Sequence, residues 1–141
     1  MSHTERIGRV VRINGNMVTI ETQEHMIQNE VAYILHGNES LKAEVIRVRG
    51  NRAETQVFES TGGLCVGDQV KLTGDLLSVE LGPGLLGQIF DGLQNPLPAL
   101  SEKFGFFLKR GEYLPALPDD AVWEFNPIVK AGAAVRAGDK I

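Results

Sequence analysis

Tight-turn signals recur at short intervals through the first half of the chain, and this spacing constrains the fold more than any other feature. Asn14-Gly15 and Gly50-Asn51 each separate two short segments in which apolar and polar residues alternate. Asn and Gly tolerate the positive φ angles that a two-residue hairpin turn requires. Because no long 3.6-residue apolar period occurs before residue 82, these segments are expected to be β-strands.

The alternating segments and their turns predict six or seven short strands. Their predicted bounds are 6–13, 17–22, 31–35, 41–49, 52–58, 69–72 and 76–81. Short strands joined by hairpins favour a small closed barrel, because closure pairs the edge strands that would otherwise be exposed. The fold class is therefore predicted to be mainly β.

Composition excludes several function classes. The chain has 141 residues, of which 43% are apolar and 23% charged, so it can build a core without disulfides. Its net charge of -4 argues against a surface that follows a phosphate backbone. The single cysteine, Cys65, excludes an intramolecular disulfide and a cysteine-rich zinc site. There is no run of about 18 apolar residues to cross a bilayer, and residues 1–15 lack the apolar core of a secretory signal.

The character of the sequence changes at Gly82, where glycine and proline become frequent. A short helix is predicted at 98–104, with Pro98 in its first turn and Gly105 at its end. Short extended segments are predicted at 106–109, 123–125 and 128–130. Evenly spaced glycines in 129–141 are typical of tight turns, and a strand that begins at the end of this stretch suggests that the chain is a fragment.

One glycine-rich segment matches a nucleotide-binding motif. Residues 82–87 read GPGLLG and match the G-x-G-x-x-G dinucleotide fingerprint. That motif needs a following helix whose N-terminus faces the pyrophosphate, whereas residues 88–92 are too short and broken for one. The interpretation is a structural turn. The phosphate-binding motif G-x-x-x-x-G-K-[ST] is absent, since the sequence contains no Gly-Lys pair.

The residues that most often carry chemistry are scattered. The histidines have no partner at helical spacing and are interpreted as surface or structural residues rather than metal ligands. Cys65 is interpreted as a small buried residue, although a nucleophile pair with a histidine is an alternative. A pair of adjacent aspartates on a proline-bounded loop is expected to face solvent. These residues are His3, His25, His36, Cys65, Asp119 and Asp120.

The last third of the chain gathers most of the aromatic side chains. A base-stacking platform would need basic neighbours, but acidic residues offset them here, so a second small core or a partner-packing surface is favoured. The aromatic residues are Phe104, Phe106, Phe107, Tyr113, Trp123 and Phe125.

The glycine turns near the end are similar to the hairpin of a biotinyl or lipoyl carrier. However, neither Lys130 nor Lys140 has the setting of a modified lysine.

A longer stretch resembles a known family. Residues 58–70 (FESTGGLCVGDQV), 78–87 (SVELGPGLLG), 89–92 (IFDG) and 96–97 (PL) resemble the catalytic A subunit of V-type and archaeal-type rotary ATPases. The opening GRVV at 8–11 with Asn14-Gly15 is similar to the start of that subunit. The motifs FLKRG, PAL and WEFNP, at 107–111, 115–117 and 123–127, resemble its inserted bulge region.

The resemblance implies a domain organisation and a set of partners. Residues 1–72 would be an N-terminal β-barrel, 73–105 a connection toward the nucleotide-binding domain, and 106–141 the start of a β-rich bulge. The barrel would join a crown in an alternating hexamer of A subunits and non-catalytic B subunits. Stalk subunits would also make contacts, and the membrane would be reached only through the ion-translocating sector. The complex would sit on the cytoplasmic face of the membrane.

The resemblance also implies an activity for the longer parent. The parent would use Mg-ATP or ADP, coupling ATP hydrolysis or synthesis to proton or sodium transport. The family's phosphate-binding loop and catalytic residues have no counterpart in these 141 residues. No catalytic, cofactor-binding or metal-binding residue is therefore assigned, and the chain alone is expected to be inactive and to bind no Mg-ATP. The alternative is a stand-alone barrel that binds a protein or an oligonucleotide, and a carrier-like domain is a third hypothesis.

Overall fold

Six antiparallel strands form a closed barrel in the computed structural model, which describes residues 6–107, 109–118 and 120–141. The strands are β1 (Arg6–Asn14), β2 (Met17–Glu21), β3 (Glu30–His36), β4 (Glu39–Arg49), β5 (Arg52–Val57) and β6 (Gln69–Leu76). Around the barrel they follow the order β1-β2-β5-β4-β3-β6, and β6 pairs again with β1. A 3-10 helix (Pro83–Leu85) and one α-helix, α1 (Leu97–Phe104), follow the barrel. The prediction of a mainly β fold with a small closed barrel is confirmed.

The alternating apolar residues of the strands fill the barrel interior. Val10, Ile20, Ile34 and Leu41 are completely buried there, together with residues of β5 and β6. The hairpin glycines Gly15 and Gly50 both have a φ of 61°, which is the left-handed conformation that their turns were predicted to need.

Two β-bulges adjust the alternation along the longest strands. The pairing of β1 with β2 shifts between Val10 and Arg12, and the pairing of β4 with β5 shifts between Val45 and Arg47. Each shift inserts one extra residue, so side chains beyond it change face. Ile13 and Val48 consequently pack against the core although they lie at odd spacing from the buried residues before the bulge.

A buried carboxylate connects three separate segments of the barrel. Glu30, at the start of β3, is fully buried and accepts 3.0 Å hydrogen bonds from Arg6 Nη2 at both of its carboxylate oxygens. Its Oε1 also accepts the backbone N–H of Ile27 at 2.9 Å, and its Oε2 accepts that of Gly74 at 3.0 Å. Glu30 therefore links β1, β6 and the loop that precedes β3.

Several predicted strands are wrong. Residues 69–72 and 76–81 were predicted as two strands, but β6 is one strand that ends at Leu76, and 77–81 are irregular. Because β6 already pairs with both β1 and β3, the barrel offers no edge for a seventh strand. The described residues in 106–109, 123–125 and 128–130 also form no strand, and the expected β-rich character of 106–141 is not seen.

The helix prediction is confirmed within one residue. Helix α1 runs over Leu97–Phe104 with Pro98 in its first turn, where its missing N–H costs no helical hydrogen bond. Gly105 ends it with a φ of 90° and donates its N–H to the Ser101 carbonyl at 2.9 Å. Of the described part of the chain, neither helical segment is long and apolar enough to cross a membrane.

Candidate functional site

Residues 110–117, here called the docking segment, lie against the barrel at the hairpin between β3 and β4. Glu59, just after β5, accepts the backbone N–H of Gly111 at 3.1 Å and the hydroxyl of Tyr113 at 2.6 Å. Gly111 has a φ of 77°, and a Cβ at this position would lie 3.0 Å from the backbone N of Ser40. Only a glycine therefore lets the docking segment approach β4 this closely.

Tyr113 is the central contact of the docking segment. Its hydroxyl accepts the backbone N–H of Lys42 at 2.8 Å while it donates to Glu59. Its ring meets Tyr33 edge to face at 6.2 Å, and the Lys42 ammonium lies 5.7 Å from the ring centre. Burial, and then the hydrogen bond to Glu59, raise the pKa of Tyr113. The phenol therefore stays protonated and remains a donor well into the alkaline range.

Arg110 adds a charged contact beside the tyrosine. Its guanidinium donates to the carboxylate of Glu39, to the Ser60 carbonyl at 2.9 Å and to the Gly62 carbonyl. One side chain thereby ties the docking segment to the first residue of β4 and to the loop after β5. Charge-assisted hydrogen bonds of this kind are stronger than neutral ones.

The same segment also contacts the irregular region between the barrel and α1. The N–H of Leu114 points to Asn95 Oδ1 at 3.4 Å, and that of Leu117 points to Glu80 Oε2 at 3.3 Å. Asn95 is buried and donates to Asp91 through its side chain at 2.9 Å and its backbone at 2.8 Å. Hydrogen bonds thus connect residues 80–95, the docking segment and the barrel.

The glycine motif at 82–87 allows other side chains to pack closely against its backbone. Residues 83–85 form the 3-10 helix, and 88–92 form no α-helix, so no helix N-terminus is present to receive a pyrophosphate. A Cβ on Gly82 would lie 2.8 Å from Leu117 Cδ1, and one on Gly84 would lie 2.8 Å from Trp123 Cζ2. The interpretation of this motif as a structural turn is supported.

Replacing Gly84 with alanine is expected to displace Trp123 without unfolding the barrel. The added methyl group would meet the Trp123 ring at 2.8 Å and Leu117 Cδ2 at 3.1 Å, so the indole must move outward. Trp123 is the chain's single tryptophan, and its emission should shift to the red and become easier to quench with iodide. The free energy of unfolding should change by less than about 1 kcal/mol, because the contact lies outside the core.

Gly92→Ala is the matched control, since a Cβ there has nothing within 4 Å. Equal tryptophan spectra for the two variants would contradict the packing role of Gly84.

A cleft of about 470 Å³ lies between the end of the barrel, α1 and the docking segment. Leu77, Leu100 and Phe104 supply apolar walls, while Glu59, Asp91 and Lys109 contribute charge. A second, more apolar groove of about 510 Å³ runs along the other side of the docking segment, between Phe90, Pro115 and Trp123. Among the described residues that line them, neither opening brings together the groups of a recognisable catalytic constellation.

The titratable candidates that the structure describes are not assembled into a site. His36 Nδ1 lies 2.9 Å from Asp68 Oδ2, which also accepts the backbone N–H of Cys65 at 2.8 Å. The prediction that Cys65 is buried is wrong, because the turn at 65–68 directs it outward and Leu64 fills the core position instead. The Cys65 thiol contacts the Gly63 carbonyl at 3.4 Å rather than a histidine.

Of the other candidates, His25 is exposed, and its carbonyl accepts a hydrogen bond from Arg6. His3 and Asp119 lie outside the described residues, so the expectation that the Asp119–Asp120 pair faces solvent stays a prediction. Within the described ranges, no three residues of His, Cys, Asp and Glu come close enough to hold a metal ion. Lys130 and Lys140 lie in a stretch of turns without the strands of a carrier hairpin.

The aromatic residues of the last third divide into two groups. Tyr113 packs on the barrel, whereas Phe106 and Phe107 are 94% and 87% exposed and Phe125 is 65% exposed. These three exposed phenylalanines therefore do not form a second small core, which was expected as an alternative to a partner-packing surface. The docking contacts of Glu59, Arg110 and Tyr113 were not predicted, because their hydrogen bonds join residues 48 to 71 positions apart and no local pattern marks them.

Comparisons with known proteins agree with this architecture. The profile of the ATP synthase alpha/beta family, beta-barrel domain, matches residues 10–74. Over 136 residues, which are 96% of its length, the chain is 58% identical to V-type ATP synthase alpha chain 1 of Treponema pallidum. Over the same length it is 55% identical to the V-type ATP synthase alpha chain of Treponema denticola. Over 132 residues, 94% of the chain, it is 57% identical to that of Borreliella afzelii.

The matched region is a minor part of each relative, since the chain spans 23% of their length. The family predicted from residues 58–97 and from the motifs at 107–127 is nevertheless confirmed, because the similarity runs through the barrel and the docking segment alike. Residues 10–74 match the β-barrel domain of the ATP synthase alpha/beta family, and the chain is similar over nearly its whole length to V-type ATP synthase alpha chains.

Proposed function

We propose that this chain is the barrel-bearing portion of a V-type ATP synthase alpha chain and that it serves the assembly of that enzyme rather than its chemistry. The observation that carries the proposal is the 58% identity over 96% of the chain. A stand-alone binding barrel is less favoured, because the similarity continues far beyond β6 into the docking segment and the residues after it.

The parent would couple ATP hydrolysis or synthesis to the transport of protons or sodium. Its Mg-ATP site would lie in the part of the relatives that this chain does not span. The absence of a G-x-x-x-x-G-K-[ST] motif from these 141 residues supports an inactive role for the chain alone. Its own contribution would be the folded barrel and the surfaces around it.

The distribution of exposed apolar side chains supports packing against further protein. Large apolar residues with more than half of their surface exposed are concentrated after β6, as expected of a surface that other parts of an assembly cover. They include Val79, Leu81, Leu86, Ile89, Phe106, Phe107, Val122, Phe125 and Ile128.

In the proposed organisation, residues 1–72 are the barrel, residues 73–105 connect it to the nucleotide-binding domain, and residues 106–141 begin the bulge.

The proposed partners follow from the same family. The barrel would stand in a crown of alternating A and B subunits, with stalk subunits nearby and the membrane reached through the ion-translocating sector. This complex would lie on the cytoplasmic face.

A domain exchange tests the proposal. The chain replaces the matching region of the Treponema pallidum alpha chain, which is then produced with its partner subunits. We expect a complex that assembles and hydrolyses Mg-ATP at a rate within about tenfold of the natural complex, because the exchanged region supplies no catalytic residue. The isolated chain should neither hydrolyse nor bind Mg-ATP. Failure of the exchanged protein to assemble, or saturable Mg-ATP binding by the isolated chain in calorimetry, would count against the proposal.

A further inference from the structure

Five of the chain's eight arginines lie on one outer face of the barrel. We call this surface, on strands β1, β2, β5 and β4, the arginine face. Its charged members are Arg9, Arg12, Arg47, Arg49, Arg52, Glu21 and Glu54. Five positive and two negative side chains give it a charge of +3, although the chain as a whole carries -4.

The two β-bulges create this concentration of charge. Without the extra residue after Val10, Arg12 would share the inward face with Val10 and could not be exposed. The shift between Val45 and Arg47 has the same effect on β4, where Arg47 and Arg49 are exposed on either side of the inward-packed Val48.

The strand register arranges the charges in two rows across the sheet. One row runs Arg9, Glu21, Arg52, Arg49, and the next runs Arg12, Thr19, Glu54, Arg47. Arg49 and Arg52 are direct cross-strand partners, a like-charge pair that destabilises a sheet. Stability of the barrel alone does not account for placing these two residues opposite each other.

Three of the arginines have unused hydrogen-bonding capacity. Arg9 and Arg52 hold the Glu21 carboxylate at 2.8 and 3.0 Å, and these contacts lower the pKa of Glu21. In contrast, the side chains of Arg12, Arg47 and Arg49 make no hydrogen bond or ion pair with the described part of the chain. All three line a shallow cleft of about 430 Å³ together with Thr19, Arg52 and Glu54.

The chemistry of the face favours carboxylates on a protein over nucleic acid. The planar guanidinium pairs with a carboxylate through two parallel hydrogen bonds. Among the described residues that line the cleft, none is aromatic and able to stack a base. Glu21 and Glu54 interrupt the positive field that a continuous phosphate backbone needs, whereas a protein surface of mixed charge accommodates them.

We propose that the arginine face is a docking surface for an acidic protein segment that presents a row of carboxylates to Arg12, Arg47 and Arg49. Because all barrel edges are paired, the partner binds through side chains rather than by adding a strand. This proposal does not depend on the ATP synthase role, since it rests on the barrel alone.

Binding to a labelled oligoglutamate peptide tests the proposal. Fluorescence anisotropy is measured at low salt for the 141-residue chain, for the double variant Arg47→Gln/Arg49→Gln and for the control Arg136→Gln. Arg136 is exposed and lies in the tail, far from the face in sequence. We expect the double variant to bind at least about tenfold more weakly and the control to match the natural chain. Binding should weaken as salt is added, and oligoglutamine of the same length should not bind.

Three outcomes would overturn the proposal. The first is no binding of oligoglutamate by the natural chain, and the second is an equal loss in the Arg136→Gln control, which would indicate a nonspecific charge effect. The third is tighter binding of oligothymidylate than of oligoglutamate, which would assign the face to nucleic acid. Circular dichroism verifies that the double variant is folded, as expected for two exposed side chains.

Discussion

Glu30→Ala is expected to lower the free energy of unfolding by about 3–5 kcal/mol, the range found when one member of a buried ion pair is removed. The substitution leaves the guanidinium of Arg6, whose side chain is only 23% exposed, without its carboxylate. It also removes the acceptor for the backbone N–H groups of Ile27 and Gly74. Urea unfolding followed by circular dichroism measures the loss, and the slope of the transition shows whether unfolding stays two-state.

Glu44→Ala is the matched control. Glu44 lies on β4, is half-buried and makes no ion pair with the described residues, so its removal should change stability by no more than about 0.5 kcal/mol. Glu30→Gln should give an intermediate loss, because the amide keeps the shape and one acceptor oxygen. A Glu30→Ala variant as stable as the Glu44→Ala control would mean that the buried carboxylate does not hold the barrel together.

The strands of the barrel were predictable because two local signals agree along the chain. Apolar alternation identified β1, β2 and β5, and glycine-containing turns located their ends within a few residues. The same reasoning failed at 76–81, where Leu77, Val79 and Leu81 alternate as in a strand but are exposed. Whether such a segment pairs depends on a free sheet edge, and closure of the barrel between β1 and β6 removes that edge.

The contacts of the candidate site were beyond prediction from local pattern. Glu30 resembles any surface glutamate in the sequence, yet the Arg6 guanidinium and the backbone amides of Ile27 and Gly74 converge on it in the fold. Cys65 is interpreted from the sequence as buried because it lies between two apolar residues, Leu64 and Val66, but the hydrogen bond from its N–H to Asp68 closes a turn that exposes it. The motifs at 107–127 indicated a family without indicating that Tyr113 would reach Lys42 and Glu59.

These contacts make the docking segment and the barrel a continuous structure. Arg110 reaches the start of β4, Tyr113 reaches the middle of the β3–β4 pair, and Leu114 and Leu117 reach Asn95 and Glu80. In the proposed alpha chain, the residues after position 117 would therefore take their starting position from the barrel. Loss of the docking contacts should affect assembly while leaving the barrel folded.

Gly111→Ala is expected to detach the docking segment and to speed hydrogen exchange of the Lys42 amide by about 10–100-fold, which corresponds to roughly 1–3 kcal/mol of lost local stability. Two effects add. Alanine is strained at a φ of 77°, and its Cβ would lie 3.0 Å from the backbone N of Ser40, which cannot move without disturbing β4. The Lys42 amide is a specific reporter, because its N–H donates to the Tyr113 hydroxyl.

Gly87→Ala separates the two effects. Gly87 has a φ of 78°, but a Cβ there has nothing within 4 Å, so alanine adds backbone strain without a collision. Exchange of the Lys42 amide should be unchanged in that variant. Core amides of β2, which lie away from the docking segment, should stay protected in both variants.

Equal exchange of the Lys42 amide in Gly111→Ala and Gly87→Ala would mean that the close approach to Ser40 does not hold the docking segment on the barrel. Loss of protection throughout β2 in Gly111→Ala would mean that the segment is part of the barrel's folding unit.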